Sequence, residues 1–188
     1  LTMAFFILGI TFQTFLEANM KYINNNNNYY KTNNEILFLI LLLFIFFQIA
    51  YGAFVSGTHS GLLFNTWPMY NGNIFPLIEN NTLRGIINFF EKGEYIIFVH
   101  RTFALFILLI VIYINYDFLR QKNNIKKNYL LLLFNFSFIL QILLGVLMTV
   151  QNIPWYLALA HQGNAIILFL VSVIMWMLSK KSPQSNFT

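Results

Sequence analysis

The side chains in this sequence best suited to chemistry are two histidines, His100 and His161, each set inside a long apolar run. An imidazole is costly to place in hydrocarbon. Such a residue usually faces a bundle interior or a wet cavity, so it marks a functional position by default. His100 lies five residues into its run and His161 six, roughly 8–9 Å along each helix at about 1.5 Å per residue. Alanine follows each at four residues, Ala104 and Ala165, on the same helical face, leaving room beside the ring. Two imidazoles at one depth suit axial ligation of a planar iron macrocycle between helices, because the two ligands must approach from opposite faces at one level. Zinc fits less well, since no carboxylate or cysteine lies at that depth to complete a tetrahedron. The plainer alternative is that both are packing histidines, hydrogen-bonded to neighbours such as Gln141. A single histidine favours that alternative; a matched pair favours a ligand.

Other polar residues are less specific. Arg101 follows the first histidine near the membrane interface, where it can pair with a propionate of such a macrocycle or snorkel to water. His59, in Gly57-Thr58-His59-Ser60-Gly61, lies just past a helix end and reads as an interfacial histidine. Trp67-Pro68 and Trp155 fall at the same boundary and read as aromatic-belt anchors. No residue is singled out as catalytic. The chain has no cysteine, which excludes disulfides and thiolate metal sites.

The elements that must position the histidines follow from composition. Of 188 residues, 58% are hydrophobic and only 9% charged, too few charges to solvate the surface of a water-soluble globule. Lipid is therefore the expected solvent. Five apolar runs approach the roughly 20 residues a membrane-crossing helix needs: Leu1–Leu16, Ile36–Val55, Tyr95–Tyr116, Tyr129–Val150 and Trp155–Leu178. They are continuous rather than alternating, which disfavours barrel strands. The class is an all-α membrane protein of five transmembrane helices, the last four forming a pseudo-symmetric four-helix bundle.

The first run carries no basic segment or small-residue cleavage site, so it does not read as a signal peptide. With Leu1 rather than Met at its start, the chain reads as part of a longer protein. Lys21, Lys31, Arg120, Lys122, Lys126, Lys127, Lys180 and Lys181 fall on one side of the bundle, against Arg84, Lys92 and Arg101 on the other. The positive-inside rule places the former side in the cytoplasm, C-terminus included. The net charge of +5 thus reflects topology and implies no nucleic-acid partner. The division is a helix over 1–16, an Asn-rich cytoplasmic linker over 17–35, the bundle over 36–178 and a cytoplasmic tail over 179–188. Within the long 56–94 connection, Leu83, Ile86, Ile87 and Phe90 recur at helical spacing and predict a short interfacial helix.

An internal echo ties these elements to the histidines. Gln48-Ile49-x-x-Gly52 on the second run recurs as Gln141-Ile142-x-x-Gly145 on the fourth, and each is followed on the next run by His-x-x-x-Ala. Such duplications commonly place a ligand at the interface of the related halves.

At these residues the sequence resembles the haem A synthase family: Gln48-Ile-Ala-Tyr-Gly-Ala-Phe-Val-Ser-Gly-Thr-His-Ser-Gly-Leu-Leu-Phe-Asn-Thr-Trp-Pro-Met69, then His100-Arg101, Gln141-Ile-Leu-Leu-Gly145, and Leu157-Ala-Leu-Ala-His-Gln162. The resemblance spans nearly the whole chain. It implies the fourth to eighth helices of an eight-helix inner-membrane enzyme of two four-helix halves, which oxidises a methyl group of haem O to the formyl group of haem A for terminal oxidases. The implied route is successive hydroxylation, with loss of water from a geminal diol. The half present here resembles the one that holds haem b, with iron carried onto His100 and His161 and Arg101 beside it. The half holding the substrate is mostly missing, so the isolated fragment is expected to bind haem b without necessarily turning over haem O. Lack of cysteine resembles the proteobacterial and mitochondrial branch. Implied partners are membrane lipid, haem O synthase and an electron donor; a homo-oligomer is open. Two other readings use the same histidines: a non-enzymatic membrane cytochrome b, and a transporter whose repeated helices line a path.

Overall fold

The computed structural model describes residues 2–24, 35–75, 92–120 and 129–180. Among them are five α-helices: α1 (Thr2–Asn24), α2 (Glu35–Gly57), α3 (Gly93–Arg120), α4 (Tyr129–Val150) and α5 (Trp155–Ser179), with one 3-10 turn at Ser60–Leu62. No strand occurs among the described residues. The all-α expectation holds. Four helices, α2 to α5, are long and apolar enough to cross a membrane. α1 is a full-length helix, but its C-terminal part carries Glu17, Asn19 and Lys21.

The expected linker over 17–35 is corrected in its first part, because α1 continues through Asn24. Glu17, Ala18, Met20 and Lys21 are good helix formers. Polar side chains also bind within the helix, with Gln13 Nε2 donating to Glu17 at 2.9 Å and Asn19 Nδ2 to the Phe15 carbonyl at 2.8 Å. The expected interfacial helix near Leu83–Phe90 and the tail beyond Lys180 lie outside the described residues.

The helices are apolar on all sides, as lipid-exposed spans are. The inward stripe of α2 runs Phe38, Leu41, Ile45, Ile49, at the three- and four-residue spacing of one face, and meets Ile107, Val111, Ile114 and Phe118 of α3 in one buried core. Leu131, Phe134 and Phe138 of α4 and Leu168, Val171 and Met175 of α5 complete it. The outward positions are equally apolar: Leu109, Phe136 and Leu159 are each more than 60% exposed. In water that surface would drive aggregation; in lipid it is solvated. α5 is the hub, packed against α4, α2 and α1. α1 docks through Phe5, whose ring meets Phe169 edge-on at 5.6 Å, and through Gly9, where a Cβ would stand 3.0 Å from the same ring.

Two hairpins, α2–α3 and α4–α5, thus carry the duplicated sequence. At the far end from the loops they are joined by a reciprocal amide pair: Asn115 Nδ2 donates to Asn135 Oδ1 at 3.0 Å, and Asn135 Nδ2 donates to Asn115 Oδ1 at 2.7 Å. At the loop end Asn65 Nδ2 donates to Asn152 Oδ1 at 3.1 Å. There Ile153 holds a positive φ of 56°, unusual for a β-branched residue, and its side chain lies over Gly61, where a Cβ would come within 2.5 Å. A side chain at Gly61 would push the end of the Ile153 side chain aside.

Candidate functional site

The site is built twice. Gln48 and Gly52 share a face of α2, one turn apart, and Gln141 and Gly145 do the same on α4. Gln48 Nε2 stands 3.3 Å from His100 Nε2, and Gln141 Nε2 stands 3.1 Å from His161 Nε2. The glycine of each pair lies under the other edge of its ring. A Cβ on Gly52 would be 3.3 Å from His100 Cε1 and 3.9 Å from Nδ1; one on Gly145 would be 3.2 Å and 3.6 Å from the same atoms of His161. The echo in the sequence is therefore an echo of contacts, amide on one ring nitrogen and bare backbone beneath the other.

His100 is seven residues past Gly93, the start of α3, and His161 six past Trp155, the start of α5, so they sit about 10.5 Å and about 9 Å along their helices. Ala104 and Ala165 are partly buried one turn further on.

The His–Gln contacts are what a packing role asks for. They leave something over. Nδ1 of His100 and Nδ1 of His161 are both shut off from solvent with no hydrogen-bond partner. A buried polar atom without a partner costs about 1–3 kcal/mol, and native proteins rarely tolerate matched pairs of them without a reason. Two imidazoles in the same frame, each with one ring nitrogen unpartnered over a glycine, are open to a ligand that engages ring nitrogens. Among the described residues no three His, Cys, Asp or Glu side chains come together. An ion held here would have two protein ligands and would have to bring the rest of its coordination shell, as iron in a macrocycle does.

Arg101 is placed more sharply than its sequence position allowed. Its guanidinium donates to three backbone carbonyls of the loop after α2: Thr66 at 3.0 Å, Phe64 at 3.3 Å and Met69 at 3.5 Å. It also lies over the Tyr70 ring, 4.6 Å from its centroid. Phe64 and Tyr70 are buried with Ile97 in a small separate cluster. Burial raises the Tyr70 phenol above its ordinary value of 10.0, against the opposing pull of the Arg101 charge. The loop is further shaped by Asn71 and Gly72, both at positive φ, between Tyr70 and Asn73, which exchange backbone hydrogen bonds; Asn-Gly is the favoured pair for such a turn. His59 is exposed at a φ of 54°, capping the 3-10 turn without a side-chain bond, and stands apart from the other two histidines. Trp67 and Trp155 are exposed at this same end.

Two site residues escaped the sequence reading. Asn164 Nδ2 donates to Gln141 Oε1 at 2.7 Å and to the Ser137 carbonyl at 2.8 Å, while Ser137 Oγ donates to Asn164 Oδ1 at 3.0 Å. The signal was available: Asn164 is three residues past His161, and Ser137 is four before Gln141. Polar residues on membrane helices at those spacings face the same partner.

Residues 1–173 match the family model described as cytochrome oxidase assembly protein, COX15-CtaA. A protein named "Heme A synthase" from Wolbachia pipientis wMel is 38% identical over 142 residues, which is 75% of this chain and 38% of that protein. Proteins of the same name from Bartonella quintana and Rhizobium rhizogenes are each 32% identical, over 73% and 69% of this chain and 38% and 35% of their own lengths. The chain thus spans well under half the length of these relatives. No solved structure matches.

Proposed function

Because the chain belongs to the COX15-CtaA family of cytochrome oxidase assembly proteins, we propose that it is the haem b-holding portion of a haem A synthase, the enzyme that oxidises a methyl group of haem O to the formyl group of haem A. The observation that carries this reading is the pair of buried, unpartnered Nδ1 atoms on His100 and His161, each in the same glutamine and glycine frame. Haem b held by these two imidazoles would supply one-electron transfer.

The chain's own residues do the rest. His100 and His161 would hold the haem iron. Gln48 and Gln141 orient the rings, and Gly52 and Gly145 keep the space beside them free. Arg101 spends its N–H groups on loop carbonyls, so its role is to hold the 63–70 segment over the loop end rather than to serve first as a propionate partner. The substrate haem O, the electron donor and haem O synthase as the supplier of substrate belong to the whole protein. The distribution of basic residues supports a bacterial inner membrane with the C-terminus in the cytoplasm.

The test is a reduced-minus-oxidised visible spectrum of the chain, purified in mild detergent after expression with haem supply, with His100→Ala and His161→Ala beside it. A low-spin b-type spectrum in the parent, altered in both variants, is the expected result. A folded parent without a Soret band would remove haem from this site and move a transporter to the front.

A further inference from the structure

The segment that follows α2 keeps the composition of the helix before it. From Ile36 to Ile78 there is no Asp, Glu, Lys or Arg, whereas about 25% of an ordinary soluble domain is charged. Phe64 and Tyr70 turn inward and are buried, while Trp67, Met69, Ile74 and Phe75 are 52%, 47%, 73% and 65% exposed. The polar side chains among them are spent on the protein: Asn65 donates to Asn152, Thr66 to the Met69 carbonyl at 2.8 Å and Asn71 to the Leu63 carbonyl at 3.3 Å.

The segment also lies deep. Phe64 and Tyr70 pack with Ile97, four residues into α3, and Arg101, eight residues in, bonds to the same segment. Those two positions fall inside the apolar run of α3, about 6 Å and about 12 Å from the start of the helix. Irregular backbone at membrane depth is tolerated only where protein satisfies its polar groups. Here protein does so. The carbonyls of Phe64, Thr66 and Met69 accept from Arg101, that of Leu63 from Asn71, and those of Tyr70 and Asn73 from each other's N–H. The Asn71 N–H donates to Thr66 Oγ at 2.9 Å.

From this placement we propose that residues 62–75 are a re-entrant segment lying in the headgroup–acyl boundary of the bilayer at the loop end, with Trp67, Met69, Ile74 and Phe75 set among phospholipid chains. Arg101 is what makes immersion possible, because it takes the carbonyls that lipid cannot. The occupant is lipid because the surface continues that of the membrane-crossing helices. Asn65 ties the segment to Asn152, three residues before Trp155, and Trp155 and Tyr156 are exposed at the start of α5, where amphipathic rings seat in the interface. The segment offers no charge to a polar partner. Its immersion is independent of any ligand at the histidines.

Fluorescence quenching in the 188-residue chain, reconstituted into phosphatidylcholine vesicles, tests this. Of the three tryptophans, Trp155→Phe with Trp176→Phe leaves Trp67 as reporter, and Trp67→Phe with Trp176→Phe leaves Trp155 as a depth standard. Trp67 should be quenched by lipid brominated near the headgroup at least as strongly as Trp155, less by lipid brominated at the chain end, and little by aqueous iodide. Adding Arg101→Gln should reverse the pattern at Trp67, with bromine quenching lost and iodide quenching gained, while Trp155 stays as it was. Where that variant does not fold by circular dichroism, Arg101→Lys, which keeps the charge without the fork of donors, should lower bromine quenching at Trp67. Trp67 open to iodide but not to bromine places the segment in water, and Trp67 shielded from both places it under protein; either overturns the proposal. Lipid quenching that survives the Arg101 substitutions unchanged overturns the part given to Arg101.

Discussion

The α2–α3 and α4–α5 hairpins hold their histidines alike and close their loop ends differently. In the second, the turn from Gln151 to Pro154 is tied by its own backbone, with Ile153 N–H donating to the Met148 carbonyl at 2.8 Å. In the first, a long connection must be held down, and a charged side chain does it. The residue after each histidine shows the contrast: Arg101 gathers three loop carbonyls, whereas its counterpart Gln162 is exposed. What the halves share lies at ring level, and what they have each changed lies one and three residues past the histidine. The repeat keeps the amide-and-glycine frame around each ring and varies what surrounds it.

The largest expected effect that would break this contrast is at Arg101. Arg101→Gln, which copies the residue after His161, removes charge-assisted bonds worth about 1.5–3 kcal/mol each, though not additively. The 63–73 segment should become open to proteolysis and hydrogen exchange, with a local loss of about 3 kcal/mol. Gln162→Arg should change neither. An unprotected loop in the parent would show that the clamp does not hold.

Next come the asparagines that join the hairpins. Asn115→Ala or Asn135→Ala leaves one amide unpaired at a cost of about 1–3 kcal/mol, and the double variant should cost little more than either single one. Additive losses in detergent thermal unfolding would mean that the amides act separately.

The glycines sharpen the shared side of the comparison. A Cβ at Gly52 or Gly145 meets its ring at 3.3 or 3.2 Å, so each ring must shift by a few tenths of an ångström. Gly52→Ala and Gly145→Ala should each cost about 1 kcal/mol and perturb the visible spectrum of any bound haem to a similar degree. A change in one only would show that the two frames are not equivalent.

The smallest effect is at Tyr70. Its phenol is raised above 10.0 by burial, so the closed loop favours the neutral form. That contribution is complete below pH 10 and is lost as pH rises through the higher folded value. Protease resistance of the loop in the parent should fall above about pH 10, and Tyr70→Phe should flatten that profile while changing stability at neutral pH by less than about 0.5 kcal/mol. An unchanged profile in the variant would assign the loss to another group.

Much of this was legible beforehand, for physical reasons. Apolar runs locate α2 to α5 within a few residues because lipid leaves no other way to bury backbone polar groups. The repeat of Gln-Ile-x-x-Gly and His-x-x-x-Ala was legible, and Gln141 stood out as a histidine partner because a polar residue in such a run needs one; that Gln48 meets His100 in the same way is seen only in the structure. The Arg101 clamp was not, since its partners are backbone carbonyls, which residue type does not encode. Glu17–Asn24 was assigned to a linker from its polarity, although polarity ends a membrane span without ending a helix. Asn164, Asn115 and Asn135 carried the same intramembrane signal as the histidines and were passed over because an amide promises no chemistry of its own.

The two asparagine contacts between the hairpins have a mechanical meaning. One pins them where α3 and α4 meet, and the other pins them at the opposite end through Asn65 and Asn152. Sliding one hairpin past the other by a single residue, about 1.5 Å, would tear both pins at once, while a rocking motion about either would strain only the other. The register of the two hairpins, and with it the relative height of His100 and His161, is therefore held by amides at the two ends of the bundle, which resist shear far from the rings.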